Sequence, residues 1–116
     1  MNRIFQVMFP LATLFIVASA NAGGWASQNA IIEFINIESN IVRIKFKADD
    51  EADPDECGET GYIILSDDTT NGDRQYSALL AAQMAQKPTK LYVNGCFEKW
   101  NTSYPKLHAV FLLNES

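Results

Sequence analysis

Short blocks of alternating hydrophobic and polar residues run along most of the chain, a pattern typical of a small β-rich domain. The segment AIIEFINI, residues 30–37, is apolar and rich in isoleucine, and it predicts a strand buried on both faces. After a short polar turn, residues 41–47 alternate strictly, and this alternation predicts that Val42, Ile44 and Phe46 face inward. The two segments together predict a β-hairpin.

The second half of the chain predicts a short strand, a single helix and two further strands. In the helix, Tyr76, Leu79, Leu80 and Met84 recur with the helical period and predict its buried face. Pro88 ends the helix because proline cannot continue the backbone hydrogen-bond ladder. The predicted bounds are 61–65 for the third strand, 74–86 for the helix, 90–94 for the fourth strand and 106–113 for the fifth strand.

The order of these elements is strand, strand, strand, helix, strand, strand. This order predicts a mainly β protein with one helix, folded as a small five-stranded OB-like β-barrel with its helix between strands three and four. An open α+β sheet with the helix on one face is the alternative. On the fifth strand, the residues predicted to face inward are Leu107, Ala109, Phe111 and Leu113.

The chain opens with a basic residue, an apolar run and a cluster of small residues. Arg3 precedes a mostly apolar run over residues 4–17, and the triplet ANA that ends at Ala22 resembles a cleavage site. The apolar run of about 14 residues is shorter than the roughly 20 that a membrane-spanning helix needs. We therefore predict a cleavable signal peptide over residues 1–22, with a cut two residues earlier as the alternative. The mature domain, residues 23–116, is expected to be secreted or periplasmic, without membrane insertion.

Composition predicts a covalent link and narrows the range of partners. The chain contains two cysteines, and a pair in an exported chain predicts one disulfide, between Cys57 and Cys96. Loss of Arg3 with the signal peptide leaves eight basic residues against fourteen acidic ones, a net charge of about −6. Such a charge disfavours nucleic acid and anionic membranes as partners. With one histidine, His108, the chain has too few ligands for a zinc site, and we expect no cofactor.

A dense acidic segment follows the second predicted strand. Residues 49–59, which we call the acidic loop, contain seven acidic residues together with proline and glycine. An EF-hand calcium loop that starts at Glu51 would have Glu56 and Tyr62 where glycine and glutamate are required. One that starts at Asp67 would have Gly72 at the glycine position but Ala78 at the glutamate position. The sequence therefore predicts a solvated acidic loop and not a metal site.

The most informative stretch for function lies between the last two predicted strands. Residues 97–104 are predicted to be a loop with three aromatic residues, and OB-folds bind oligonucleotides and oligosaccharides with the corresponding loop. The predicted ligand-binding residues are Lys99, Trp100, Asn101 and Tyr104. In the alternative interpretation, Phe97 and Tyr104 pack in the core and Trp100 alone is free. A second candidate surface is the outward face of the second strand, with Arg43, Lys45 and Lys47.

Several short motifs are spread over nearly all of the mature chain: Gly24-Trp25, Cys57, YSALLAA at residues 76–82, Gly95-Cys96 and Tyr104-Pro105. Together they resemble a group of small exported bacterial proteins with one disulfide, which implies export but no particular activity. The layout also resembles the OB-fold B subunits of AB5 toxins, particularly the subtilase-cytotoxin and pertussis-like group. That resemblance, which is architectural, implies glycan binding by a homo-oligomer, although no sugar-binding residue of those subunits maps onto this chain.

Three functional hypotheses remain after these arguments. The first is an exported, non-enzymatic binding module for a glycan or a protein surface. The second is a structural, regulatory or inhibitory protein of the cell envelope. The third is a hydrolase that uses a pair of carboxylates. We favour the first and expect no catalytic residue, because the chain has a single histidine and no G-x-S-x-G motif.

Overall fold

The computed structural model describes residues 23–39, 41–66 and 71–113 of the chain. The predicted signal peptide, residues 1–22, lies outside these described residues. The described part of the chain forms five strands and one helix. Their bounds are β1 Gly24–Ile37, β2 Ile41–Lys47, β3 Tyr62–Ser66, α1 Gly72–Ala85, β4 Thr89–Lys99 and β5 Thr102–Leu112.

The five strands form one sheet that closes into a ring in the order β1-β2-β3-β5-β4. Neighbouring strands are antiparallel except β3 and β5, which run parallel. The first half of β1, from Gly24 to Ala30, pairs with β4, and the second half, from Ile31 to Ile37, pairs with β2. This topology confirms the predicted OB-like fold with its helix between β3 and β4, and the alternative of an open sheet is wrong.

The core fills the inside of the ring with side chains from alternate strand positions. On β2, Ile44 and Phe46 are fully buried and Val42 packs against them, as the alternation predicted. Burial of one such side chain contributes roughly 1.5–3 kcal/mol to folding. The other large buried residues of this cluster are Ile32, Ile63, Leu65, Leu79, Leu91, Val93 and Leu107.

β1 differs from its prediction in both length and burial. It begins at Gly24 and not at residue 30, and it is not buried on both faces. Ile32 is fully buried, whereas Ile37 is 60% exposed. The physical reason is that β1 belongs to a closed ring and pairs antiparallel with both of its neighbours, so one of its faces meets the core and the other lies on the outside of the ring.

Helix α1 packs against β1, β3 and β5, and its buried residues are Leu79 and Ala82. Tyr76 packs against the same cluster, but Met84 is 84% exposed, so its predicted burial is wrong. Met84 follows Leu79 by five residues, which places it about 140° around the helix from that buried residue and on the solvent side. Periodicity alone does not distinguish the stripe of the helix that contains Leu79 and Ala82 from the overlapping stripe that contains Leu80 and Met84.

Two glutamines of the helix region hold an irregular part of β1. The pairing register of β1 with β2 shifts between Ile32 and Phe34. The side-chain amide of Gln83 donates to the carbonyl oxygen of Glu33, and that of Gln86 donates to the carbonyl oxygen of Ile32, both at 3.2 Å. The helix therefore supplies donors where the strand ladder is interrupted, which a buried backbone requires.

A β-bulge in β5 changes which of its side chains face the core. Two adjacent residues of β4, Tyr92 and Val93, pair with Ala109 and Leu107 of β5. His108 therefore has no partner on β4 and is the extra residue of the bulge. Because an extra residue reverses the alternation, Val110 packs against the core and Phe111 is 47% exposed. The predicted inward set is therefore wrong after Leu107.

Candidate functional site

β4 and β5 continue beyond the predicted strand ends as a hairpin. The predicted loop at residues 97–104 is wrong, because pairing extends to Lys99 and Thr102. Only Trp100 and Asn101 form the turn, and their φ angles are 53° and 61°. Positive φ at both central positions is the signature of a type I′ hairpin turn, whose twist matches that of the flanking strands.

Trp100 is an unusual residue for this turn. Asparagine tolerates the left-handed region, but a bulky side chain there strains the backbone by roughly 1–3 kcal/mol. The strained conformation is held by ring contacts, because the Trp100 ring packs edge-on against Tyr104 at 6.1 Å between centroids. The chain therefore places a large aromatic ring at the hairpin tip despite a backbone penalty.

Arg43 on β2 lies between two aromatic rings from different elements. Its Cζ atom is 4.9 Å from the centre of the Trp100 ring and 5.1 Å from the centre of the Tyr62 ring. Its Nη1 donates a hydrogen bond to the Tyr104 hydroxyl at 3.3 Å, while its Nε is buried without a hydrogen-bond partner. Arg43 thus ties the hairpin tip to the outer face of β2 and β3 through cation–π contacts and a hydrogen bond.

A small hydrophobic cluster outside the ring supports this arrangement. Ile41, Ile64 and Tyr104 are buried in it, and Tyr62 and Phe97 pack against it. These residues lie on the outward side of their strands, opposite the main core. The hairpin therefore folds over the outer face of the sheet and does not project freely into solvent.

Phe34 and Lys45 extend the same surface towards β1. The Phe34 ring is 6.4 Å from that of Tyr62, and Lys45 Nζ is 5.3 Å from the centre of the Tyr62 ring. Lys45 also forms an ion pair with Glu33 at 3.4 Å. We call the surface made by Phe34, Arg43, Lys45, Tyr62 and Trp100 the aromatic face.

The structure brings the two surfaces suggested by the sequence into contact. Trp100 is 46% exposed, and Lys99 Nζ is 5.6 Å from the centre of its ring. Asn101 is exposed beside it, whereas Tyr104 is only 6% exposed and lies beneath Trp100 as a support. Sequence reasoning missed Phe34 and Tyr62. The outward position of Tyr62 follows from the alternation on β3, whereas Phe34 faces outward because the register of β1 shifts between Ile32 and Phe34.

A cleft borders the aromatic face at the turn between β1 and β2. Its volume is about 660 Å³, and its described lining includes Ile37, Arg74 and Tyr76. Ile41 also lines it and belongs to the cluster beneath Tyr104.

Several residues of the acidic loop, including Glu51 and Glu56, are exposed to solvent as predicted, and some of its carboxylates also accept hydrogen bonds from backbone amides. Asp53 accepts hydrogen bonds from the amides of Cys57 at 2.8 Å and Gly58 at 2.7 Å. Glu51 accepts one from the amide of Ala48 at 3.3 Å. A carboxylate that accepts hydrogen bonds from backbone amides a few residues away in the chain stabilises a turn.

Asp50 joins the acidic loop to β1. Its carboxylate accepts hydrogen bonds from the Gln28 amide at 2.8 Å and from the Ser27 hydroxyl at 2.7 Å. The Gln28 amide, followed by the Ser27 hydroxyl, lowers the pKa of Asp50, and desolvation opposes this with a smaller effect. Hydrogen bonding to the charged form therefore outweighs burial at this carboxyl group.

The predicted disulfide is present and anchors the acidic loop to β4. Cys57 and Cys96 are bonded, with their Cα atoms 5.6 Å apart. They are 39 residues apart in the sequence, and a closed loop of this length stabilises the fold by roughly 4 kcal/mol in the chain-entropy model. The disulfide and the carboxylate hydrogen bonds thus make the loop part of the folded structure.

A second aromatic cluster lies on β1, β4 and β5. Trp25 makes edge contacts with Tyr92 at 5.2 Å and with Phe111 at 5.5 Å, and Lys90 Nζ is 5.4 Å from the centre of the Trp25 ring. His108 is exposed at its border, 5.9 Å from Tyr92 between ring centroids. These contacts make Trp25 a packing residue.

No group of three or more histidine, cysteine, aspartate and glutamate side chains in the described ranges could hold a metal ion. Within the same ranges, no helix has the length and apolar character needed to cross a membrane.

Comparison with known proteins gives no family for this chain. No protein-family model matches the sequence, and no curated protein matches it at a significant level. The functional argument therefore depends on the residues and contacts of this chain.

Proposed function

We propose that the protein is an exported, non-enzymatic binding module whose aromatic face binds a glycan. The observation that carries this proposal is the pair of partly exposed rings, with Phe34 40% and Trp100 46% exposed on one face. Apolar faces of sugar rings stack on such aromatic surfaces, and nearby polar groups then fix the orientation of the ligand. Lys99 and Asn101 beside Trp100 offer those donors.

Rigidity of the face supports the same proposal. The Trp100 ring is already held by Arg43 and Tyr104 before any ligand arrives. A ring that is ordered in the free protein loses little conformational freedom on binding, so more of the contact energy remains as affinity. This argument also gives a reason for a strained tryptophan at the turn, where asparagine would suit the backbone better.

The distribution of charge favours a glycan over a protein partner. Protein–protein interface cores are depleted in lysine and glutamate. On the aromatic face, Arg43 lies between the rings of Trp100 and Tyr62, and Lys45 forms an ion pair with Glu33. Small aromatic patches separated by charged groups suit individual sugar rings better than the continuous apolar core of a stable interface.

A hydrolytic role is less well supported by the same contacts. A glycosidase of the usual kind needs two carboxyl groups placed on either side of the bond that it cleaves. At the edge of the aromatic face, Glu33 forms an ion pair with Lys45, and in the acidic loop Glu51 and Asp53 accept hydrogen bonds from backbone amides. These carboxylates serve structure, which supports a binding function without turnover.

The test is a glycan array on the purified exported protein, followed by calorimetric titration of each glycan that binds. Trp100→Asn removes the ring and suits the turn, so it should weaken binding by about 1–3 kcal/mol while the fold is retained. Phe111→Ala, which removes an equally exposed ring from the second aromatic cluster, is the matched control and should bind normally.

Three outcomes would contradict this proposal. Equal binding by wild type and Trp100→Asn would place the ligand elsewhere. Capture of a purified envelope protein without binding to any glycan would favour the protein-partner hypothesis. Release of shortened sugars from a bound glycan would identify a hydrolase.

A further inference from the structure

Gly23, the first described residue, is fixed by a carboxylate of the acidic loop. Asp55 Oδ1 accepts a hydrogen bond from the Gly23 backbone nitrogen at 3.1 Å, and Asp55 Oδ2 accepts one from the Gly95 amide at 2.7 Å. Gly95 precedes Cys96, which is bonded to Cys57. One carboxylate therefore bridges the start of the folded domain and the middle of β4, next to the disulfide.

The backbone approaches so closely here that glycine is required. Gly23 has a φ angle of 79°, and a Cβ atom at this position would lie 2.8 Å from the carbonyl oxygen of Val93. At Gly24, a Cβ atom would lie 2.7 Å from the Cβ atom of Pro54. Both contacts are too short for any other residue without movement of the chain. The two glycines thus form a fitted start to the domain, with the acidic loop packed over them.

The sequence independently predicts signal-peptide cleavage immediately before Gly23. Hydrolysis of the Ala22–Gly23 amide by water leaves a carboxylate on Ala22 and an amine on Gly23, which takes up a proton. We infer that Asp55 is the receptor for this new terminal ammonium group, and that removal of the signal peptide completes the contact between the mature N-terminus and the acidic loop. This inference concerns maturation and does not depend on the ligand of the aromatic face.

The charge of the new terminus explains why cleavage strengthens an existing contact. In the uncleaved chain Gly23 donates a neutral amide N–H to Asp55. After cleavage the donor is a cation, and charge-assisted hydrogen bonds are roughly twice as strong as neutral ones. The alternative cut, two residues earlier, leaves the Gly23 nitrogen as a neutral amide. The position of Asp55 therefore favours the cut after Ala22.

The experiment starts from the full-length chain, exported with its own signal peptide and purified from the exported fraction. Intact mass should show that the mature protein begins at Gly23. A second protein carries one additional serine between Ala22 and Gly23, so that the terminal charge moves away while the Gly23 amide remains. Mass measurement of this variant confirms that the serine is retained.

Melting temperatures then separate the ion pair from the neutral hydrogen bond. The extra serine should lower the melting temperature of the mature protein by about 4–8 °C. Asp55→Asn should lower it in the normal mature protein by clearly more than in the serine-extended protein. Asp53→Asn is the matched control, because its carboxylate binds only amides within the acidic loop among the contacts described here. Asp53→Asn should lower the melting temperatures of the normal and the serine-extended mature proteins by the same amount.

Either of two results overturns the inference. One is a mature protein that begins at any residue other than Gly23. The other is an Asp55→Asn effect that is the same with and without the added serine, which would mean that the terminal charge does not reach this carboxylate.

Discussion

Arg43 lies on the outer surface of the barrel, yet we expect its replacement to destabilise the fold measurably. The informative substitution is Arg43→Met, because methionine keeps most of the aliphatic stem and removes the charge and the planar guanidinium. Substitutions on an exposed surface usually change stability by less than about 0.5 kcal/mol. A larger loss would show that the cation is part of the structure.

The magnitude follows from the contacts of the guanidinium group. Each of its two cation–π contacts, with Tyr62 and Trp100, is worth roughly 0.5–1 kcal/mol. The hydrogen bond to the Tyr104 hydroxyl contributes about 1 kcal/mol. The buried Nε without a partner offsets about 1 kcal/mol of this gain. The net loss for Arg43→Met is therefore about 1–2 kcal/mol.

The assay is urea unfolding followed by tryptophan fluorescence, with Lys47→Met as the matched control on the same face of β2. Lys47 is exposed at the end of the strand, and its replacement should leave stability unchanged within about 0.5 kcal/mol. A double-mutant cycle between Arg43→Met and Trp100→Asn should give a coupling energy of about 0.5–1 kcal/mol. If Arg43→Met is as neutral as the control, or if the cycle is additive, the guanidinium does not hold the hairpin tip.

Three further results are expected from the remaining contacts. Replacing both Cys57 and Cys96 with serine should lower the free energy of unfolding by roughly 4 kcal/mol, and a urea midpoint equal to that of wild type would contradict this. Because hydrogen bonds from β1 lower the pKa of Asp50 in the folded state, its contribution is present above the ordinary aspartate pKa and is lost as the pH falls through the lowered value. Asp50→Asn should therefore destabilise the protein at neutral pH and have little effect in strong acid, as thermal melts across the acid range can test. Leu79→Ala should cost about 2–5 kcal/mol and Met84→Ala less than about 0.5 kcal/mol, and similar losses would show that the helix face is misassigned.

Strand alternation and element order were sufficient to predict the fold, because each is a local property that the sheet preserves. The inward residues of β2 and the position of the helix follow directly from them. The reversal of faces after His108 could not be predicted in this way, since a bulge depends on how β4 pairs with β5. Periodicity likewise gave Leu79 correctly and Met84 wrongly, because the side of the helix that packs on the ring contains Leu79 and Ala82 and not Met84.

The candidate site was predicted only in part, because it too depends on contacts between separate strands. The aromatic residues of the hairpin and the cations of β2 were visible as separate patterns. Their contact depends on a tight turn at Trp100 and Asn101, where a tryptophan adopts a conformation that local preferences disfavour. From sequence alone, a run of acidic residues predicts only a solvent-exposed loop. The hydrogen bonds of Asp53 and Asp55 could not be predicted, because they depend on the three-dimensional path of that loop.

The division of β1 between two partners has a consequence for the order of folding. Its second half pairs with β2, its neighbour in the chain, whereas its first half pairs with β4, which follows only after the helix. Contacts between distant segments form slowly because a long loop must close first. We expect docking of β4 on β1 to be a late step, during which the open edge of β1 is available to other unfolded chains. Substitutions that slow this docking should therefore reduce the yield of folded protein through aggregation, even where the finished barrel remains stable.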